Sequence, residues 1–252
     1  MDVLRRDFLP HHAAPLLAAA RIDAVVAVQA DQSDRETAFL LSLAARHDFI
    51  RGVVGWVDLR APDLALRLSR YHDAPLLKGF RHVAQAEPDG FLAQADVIAG
   101  VTQLGMHGFS FDLLIYPRQL AAAERLVASC ADVRFVLDHC AKPAIAGGDL
   151  VGWRAGLNRL ARHDNVTCKV SGLVTEAAWQ SWTDADLVPC LDAAAEAFGP
   201  ERLMFGSDWP VCLLAGEYAR VSDVIERWAD RLTTDERARV FGGTAESVYR
   251  LA

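Results

Sequence analysis

Several apolar stretches of this 252-residue chain end in a side chain that can move a proton or hold an oxygen. Gln29 closes AVVAVQ, Asp58 follows VVGWV, and Arg81 with His82 closes LKGFRH. Asp112 interrupts FSFDLLI, Asp138 and His139 end RFVLDH, Ser171 ends VTCKVS and Asp208 ends LMFGSD. A polar group at the end of a buried strand must find a partner or face a site. Taken singly, each has a plainer use: Asp58 or Asp112 as a cap or turn residue, His139 as a hydrogen-bonded structural histidine. Taken together, they converge on one face if the strands run in parallel. Asp208 has the sharpest context, because Gly206-Ser207 lets the backbone pack closely and Trp209-Pro210 stops the strand directly after the acid. A carboxylate at such a mouth, beside an aromatic wall, suits general acid–base chemistry. An arginine such as Arg81 suits the planar holding of a carbonyl or carboxylate.

The elements that must position these residues recur with a period of about 30 residues, the size of a βα unit. Seven apolar runs (24–30, 53–59, 77–82, 109–115, 134–140, 166–173 and 203–208) are nearly continuous rather than alternating, as parallel strands covered on both faces require. Between them, Ser33-x-x-Glu36 and Thr233-x-x-Glu236 read as capping boxes, the first followed by Leu40, Leu43, Ala44 and His47 at helical spacing. The last helix carries Val240 and Val248 and ends near Tyr249. No Pro/Gly/Ser-rich linker divides the chain, so a single domain over 1–252 is expected. A dinucleotide-binding sheet would show glycines after its first strand, whereas this strand runs into Gln29-Ala30-Asp31-Gln32-Ser33. The reading is therefore α/β, a (β/α)8 TIM barrel lacking its first strand in this sequence.

The net charge of −7 argues against a nucleic-acid partner and against an anionic membrane surface. The five cysteines (130, 140, 168, 190 and 212) form no Cys-x-x-Cys pair and read as buried thiols in a reducing compartment. With no apolar leader and no run of about 20 apolar residues, a cytoplasmic location is expected.

Three stretches carry a family resemblance: VLDHCAKP (136–143), MFGSDWP (204–210) and KGFRH (78–82). They resemble the amidohydrolase superfamily, in its amidohydrolase-related (amidohydrolase 2) branch of sugar and pyrone-dicarboxylate lactonases. VAVQA (26–30) and FGGTAESVY (241–249) resemble the second strand and last helix of that branch, with Thr244 where an asparagine is usual. The resemblance spans essentially the whole chain. It implies a hydrolase of carbohydrate catabolism that opens L-fuconolactone or a related aldonolactone to the sugar acid. Asp208 would activate water and return its proton to the leaving oxygen. His139 would orient water or polarise the carbonyl, and Arg81, His82, Lys78 and Trp209 would hold the small-molecule lactone. No cofactor is then required.

One feature departs from the branch, whose members open with a first strand ending in His-x-His. Here His11 and His12 are adjacent, sit between Pro10 and Pro15, and read as a surface helix start. A divalent metal such as zinc would need that His-x-His to be supplied. Two alternatives follow: a zinc-dependent decarboxylase of the same superfamily, and an inactive N-terminally truncated barrel that binds sugar acids without turnover. A missing first strand would leave the edges at Ala24–Ala30 and Leu203–Asp208 unpaired and the chain marginally stable by itself.

Overall fold

The computed structural model describes residues 1–148 and 150–251. Its seven strands are β1 (Val25–Val28), β2 (Ile50–Gly55), β3 (Leu77–His82), β4 (Ser110–Leu113), β5 (Phe135–Leu137), β6 (Val166–Val170) and β7 (Leu203–Phe205). All pair in parallel in sequence order, so each crossover returns to the neighbouring position, as in a (β/α)8-type barrel. Six of the seven apolar runs predicted as strands contain one; β2 begins at Ile50, three residues before its run, and overlaps it only over 53–55. Among the described residues, β1 and β7 each pair on one side only. The sheet nevertheless curls, because Val26 and Val28 at one edge and Met204 at the other pack into the same interior cluster.

Alternation along each strand sends one set of side chains to the helices and the other to the interior. Phe111, Phe135 and Leu137 face outward and join Leu104 of the Ala95–Met106 helix, Leu126 of the Leu120–Ser129 helix and Leu157 of the Val151–Leu160 helix in the main apolar core. Each such buried side chain contributes about 1.5–3 kcal/mol over an exposed one. Asp112, Asp138 and Lys169 alternate with these residues and are buried inside the curl.

Capping sets the helix starts. Ser33 Oγ accepts from the Glu36 amide at 3.2 Å, while the Glu36 carboxylate accepts from Ala30 N–H rather than completing the reciprocal box. The Thr233–Glu236 box is complete. The expected last helix is divided: a short helix over Thr234–Ala238, a π turn over Arg239–Gly243, and a final helix over Thr244–Tyr249. His11 is exposed, and His12 Nδ1 accepts from the Leu9 amide at the start of the Pro10–Ala19 helix, as read from the sequence. No helix among the described residues is long and apolar enough to cross a membrane.

The final helix plugs the curl. Tyr249 packs against Val54, Val136 and Met204, and its hydroxyl donates to Asp112 Oδ2 at 2.6 Å. Arg134 Nε donates to Val248 O at 2.8 Å and Lys78 Nζ to Arg250 O at 3.1 Å, which ties this segment to the strand entries. Tyr249→Ala should therefore leave an interior cavity and lower unfolding free energy by about 3–5 kcal/mol, read by urea denaturation. A loss below about 1 kcal/mol would mean that the plug is dispensable.

Candidate active site

Four interior residues from neighbouring strands form a buried ionic cluster. Asp138, directly after β5, takes Arg81 Nη1 on Oδ2 at 2.8 Å and Lys169 Nζ on Oδ1 at 2.5 Å. Lys169, on β6, also reaches Asp112 Oδ2 of β4 at 3.2 Å. Arg81, on β3, donates to the backbone and side-chain oxygens of Gln29, and Gln29 Nε2 donates back to Arg81 O. Arg81 Nε and Asp112 Oδ1 are buried with no hydrogen-bond partner among the described residues.

Beside this cluster stand His139 and Asp208. His139 Nε2 lies 3.6 Å from Asp208 Oδ1, and His139 Nδ1 lies 2.8 Å from Ser171 Oγ. The Nε2 contact is longer than a hydrogen bond, and Asp208 Oδ2 is buried without a partner among the described residues. Nε2 faces a carboxylate, so we assign the ring proton there, with Nδ1 accepting from the Ser171 hydroxyl. Both site residues are held in the left-handed region: Asp208 has φ 55°, and the run His139, Cys140, Ala141 and Lys142 has φ 53°, 51°, 58° and 51°. For a residue other than glycine this conformation costs about 1–2 kcal/mol. The surroundings oppose that strain. Trp153 Nε1 donates to Cys140 O at 2.6 Å, and Lys142 Nζ pairs with Glu176 at 2.8 Å. Gly172, at φ 61°, is the residue type this packing requires, since a Cβ there would stand 2.7 Å from His139 Nδ1.

Burial and charge set the protonation states. Burial lowers the His139 pKa and outweighs the upward pull of Asp208 and Asp138, so the ring is neutral at pH 7. Burial also works against the charged forms of Lys169 and Asp138, but their mutual attraction wins. Lys169 is raised, and Asp138, helped by Arg81, is held well below the usual carboxylate range. Asp112 ends raised to about 6, because burial and Asp138 outweigh Lys169 and the Tyr249 hydrogen bond.

Of the residues expected to act, the structure brings His139 and Asp208 together and places Arg81 in the adjoining cluster. Trp209 follows Asp208 directly, with its ring edge-on to Phe8 at 5.3 Å. The other two expected residues are engaged with other parts of the chain. Lys78 lies three residues before Arg81, about 10 Å down the strand, and bonds the C-terminal backbone. His82 alternates away from Arg81, stacks on Phe91 at 4.9 Å and lies 3.0 Å from Glu87. Lys169 and Tyr249 were not singled out from the sequence. A lysine in the middle of the apolar run VTCKVSGL was the available signal for the first, and nothing local marks the second.

The profile of the amidohydrolase family matches residues 2–251. The chain belongs to the amidohydrolase family. It is similar to two proteins named L-fucono-1,5-lactonase. One, from Burkholderia multivorans, is 47% identical, with all of this chain and 88% of that protein covered. The other, from Burkholderia ambifaria, is 37% identical with the same coverage. A crystal structure of an amidohydrolase from Burkholderia multivorans with bound zinc superposes with a TM-score of 0.96 at 46% identity, covering all of this chain and 92% of that one. Among the described residues of the present chain, no three His, Cys, Asp or Glu side chains come together to hold a metal ion. The donors at the mouth are the His139–Asp208 pair, fewer than the three protein ligands of a catalytic zinc site.

The Asp112 shift has a consequence for stability. Its carboxyl is raised from 3.8 to about 6 on folding, so its contribution is complete below the unfolded value and is lost as pH rises through the folded one. Asp112→Asn should gain in thermal midpoint relative to the unaltered protein between about pH 4 and about pH 7. A difference that stays constant over that range would refute the raised carboxyl.

Proposed function

We propose that the protein hydrolyses a sugar lactone, an aldonolactone of the L-fucono-1,5-lactone type, to the open sugar acid, with Asp208 as the base. The observation that carries this reading is the free, buried Asp208 Oδ2 beside a neutral His139. An oxygen that accepts no hydrogen bond from the protein is available to accept one from water. The names of the two relatives, both matched over this whole chain, support the substrate class.

One water oxygen can lie within hydrogen-bond reach of both the Asp208 carboxylate and His139 Nε2, which are 3.6 Å apart. Asp208 takes a proton from this water as its oxygen attacks the lactone carbonyl carbon. The carbonyl oxygen gains negative charge, and the His139 Nε2 proton and the uncommitted Arg81 Nε–H are the donors we assign to stabilise it. Collapse of the tetrahedral intermediate breaks the ring C–O bond, and Asp208 returns its proton to the departing oxygen. Lactone and water thus give one hydroxy acid, with the base regenerated. The Trp209 ring, braced by Phe8, supplies an apolar wall for the face of a sugar ring.

Asp208→Asn keeps the shape of the side chain and removes the base. It should lower kcat for L-fucono-1,5-lactone on the order of 10²-fold or more while sugar-acid binding persists. Retention of most of the turnover by a folded Asp208→Asn protein would overturn the assignment.

A further inference from the structure

Lys169 touches a chain neighbour of each member of the catalytic pair without meeting either member. Its ammonium holds Asp138, the residue before His139, at 2.5 Å. Its aliphatic stem lies against Gly206, two residues before Asp208, where an added Cβ would stand 3.1 Å from Lys169 Cγ and Cδ. The same Cβ would stand 3.1 Å from Cβ of Ser171, the residue whose hydroxyl meets His139 Nδ1. We propose that Lys169 is a positioning residue, which sets the distance between His139 and Asp208 by anchoring the entrance of the loop that carries each.

The physical argument begins with the backbone. Residues 139–142 all sit at positive φ without a glycine among them, a conformation that persists only where the surroundings over-determine it. Cys140 and Lys142 are tied by Trp153 and Glu176, which hold the middle and far end of the run. At the near end the His139 ring meets Ser171, and the residue before it, Asp138, has its carboxylate fixed from one side by Arg81 and from the other by Lys169. Removing the ammonium leaves Asp138 one anchor and frees the carboxylate to rotate toward Arg81. Asp112 then loses its charge partner as well and keeps the Tyr249 hydroxyl. Lys169 is almost completely buried, and such a residue in a strand facing apolar neighbours is retained only where its charge is matched by partners. Here it is matched by two carboxylates, which is what a fixed strut needs.

This inference rests on the lactonase reading for its kinetic test, and a second measurement frees it from that dependence. Lys169→Met keeps the stem against Gly206 and removes only the ammonium. With L-fucono-1,5-lactone as substrate, kcat should fall by about 30-fold or more while KM stays within about 3-fold, because the loss is in geometry at the reacting atoms. Unchanged kcat would overturn the proposal. So would a rise in KM that accounts for the whole loss, since it would place Lys169 against the substrate. The turnover-independent measurement is the 15N spectrum of the histidine rings, with the His139 signals identified by their absence in His139→Gln. In Lys169→Met the Nδ1 signal should lose its hydrogen-bonded shift toward Ser171, whereas an unmoved signal refutes the strut. If the unaltered protein opens no lactone, the functional reading fails and the ring signals alone decide the positioning role. Should Lys169→Met not fold, the Asp112→Asn/Lys169→Met pair removes one buried charge of each sign and is judged by the same two measurements.

Discussion

Asp138 carries a full negative charge where water does not reach it, and the rest of the interior is arranged around that fact. An unpaired carboxylate in such a place would protonate or unfold the chain. It stays ionised because Arg81 and Lys169 meet its two oxygens from opposite sides. Those two cations are 88 residues apart in sequence, one on β3 and one on β6, so only the strand order β3-β4-β5-β6 brings them to one point. The ionic cluster is therefore a device of register as much as of stability. A slip of one residue in β6 would turn Lys169 into the apolar outer layer and leave Asp138 and Asp112 facing each other.

The interior divides along the strand direction. Near the strand entries it is apolar, with Val54, Val136 and Met204 closed by Tyr249. The charged residues come next, and His139 and Asp208 stand at the strand exits. Tyr249 joins the first two zones, because its ring fills apolar space and its hydroxyl meets Asp112. A rigid floor of this kind lets the loops above it hold conformations that an isolated peptide would leave at once. The left-handed run over 139–142 and the left-handed Asp208 are such conformations, and both belong to residues that face the proposed reaction. Preorganised groups of this kind need no rearrangement as charge develops on a carbonyl oxygen.

Much of this was legible in the amino-acid order. The seven apolar runs at a βα period mark all seven strands, because strands buried on both faces leave little freedom in residue type. The absence of glycine after the first run argued against a dinucleotide fold, and the exits of the fifth and seventh runs marked His139 and Asp208. Residue type at a strand exit determines what chemistry a side chain can do, and that much needs no coordinates. Which side chains share a site depends on alternation and on neighbours distant in sequence, and here tertiary structure decided. Arg81 and His82 are adjacent in the chain, yet the pleat sends one to Asp138 and the other to Phe91 and Glu87. Lys78 shares a motif with both and lies at the other end of the strand. Lys169 and Tyr249 acquire their roles only from partners 31 and 137 residues away, distances over which local sequence carries no information about contact.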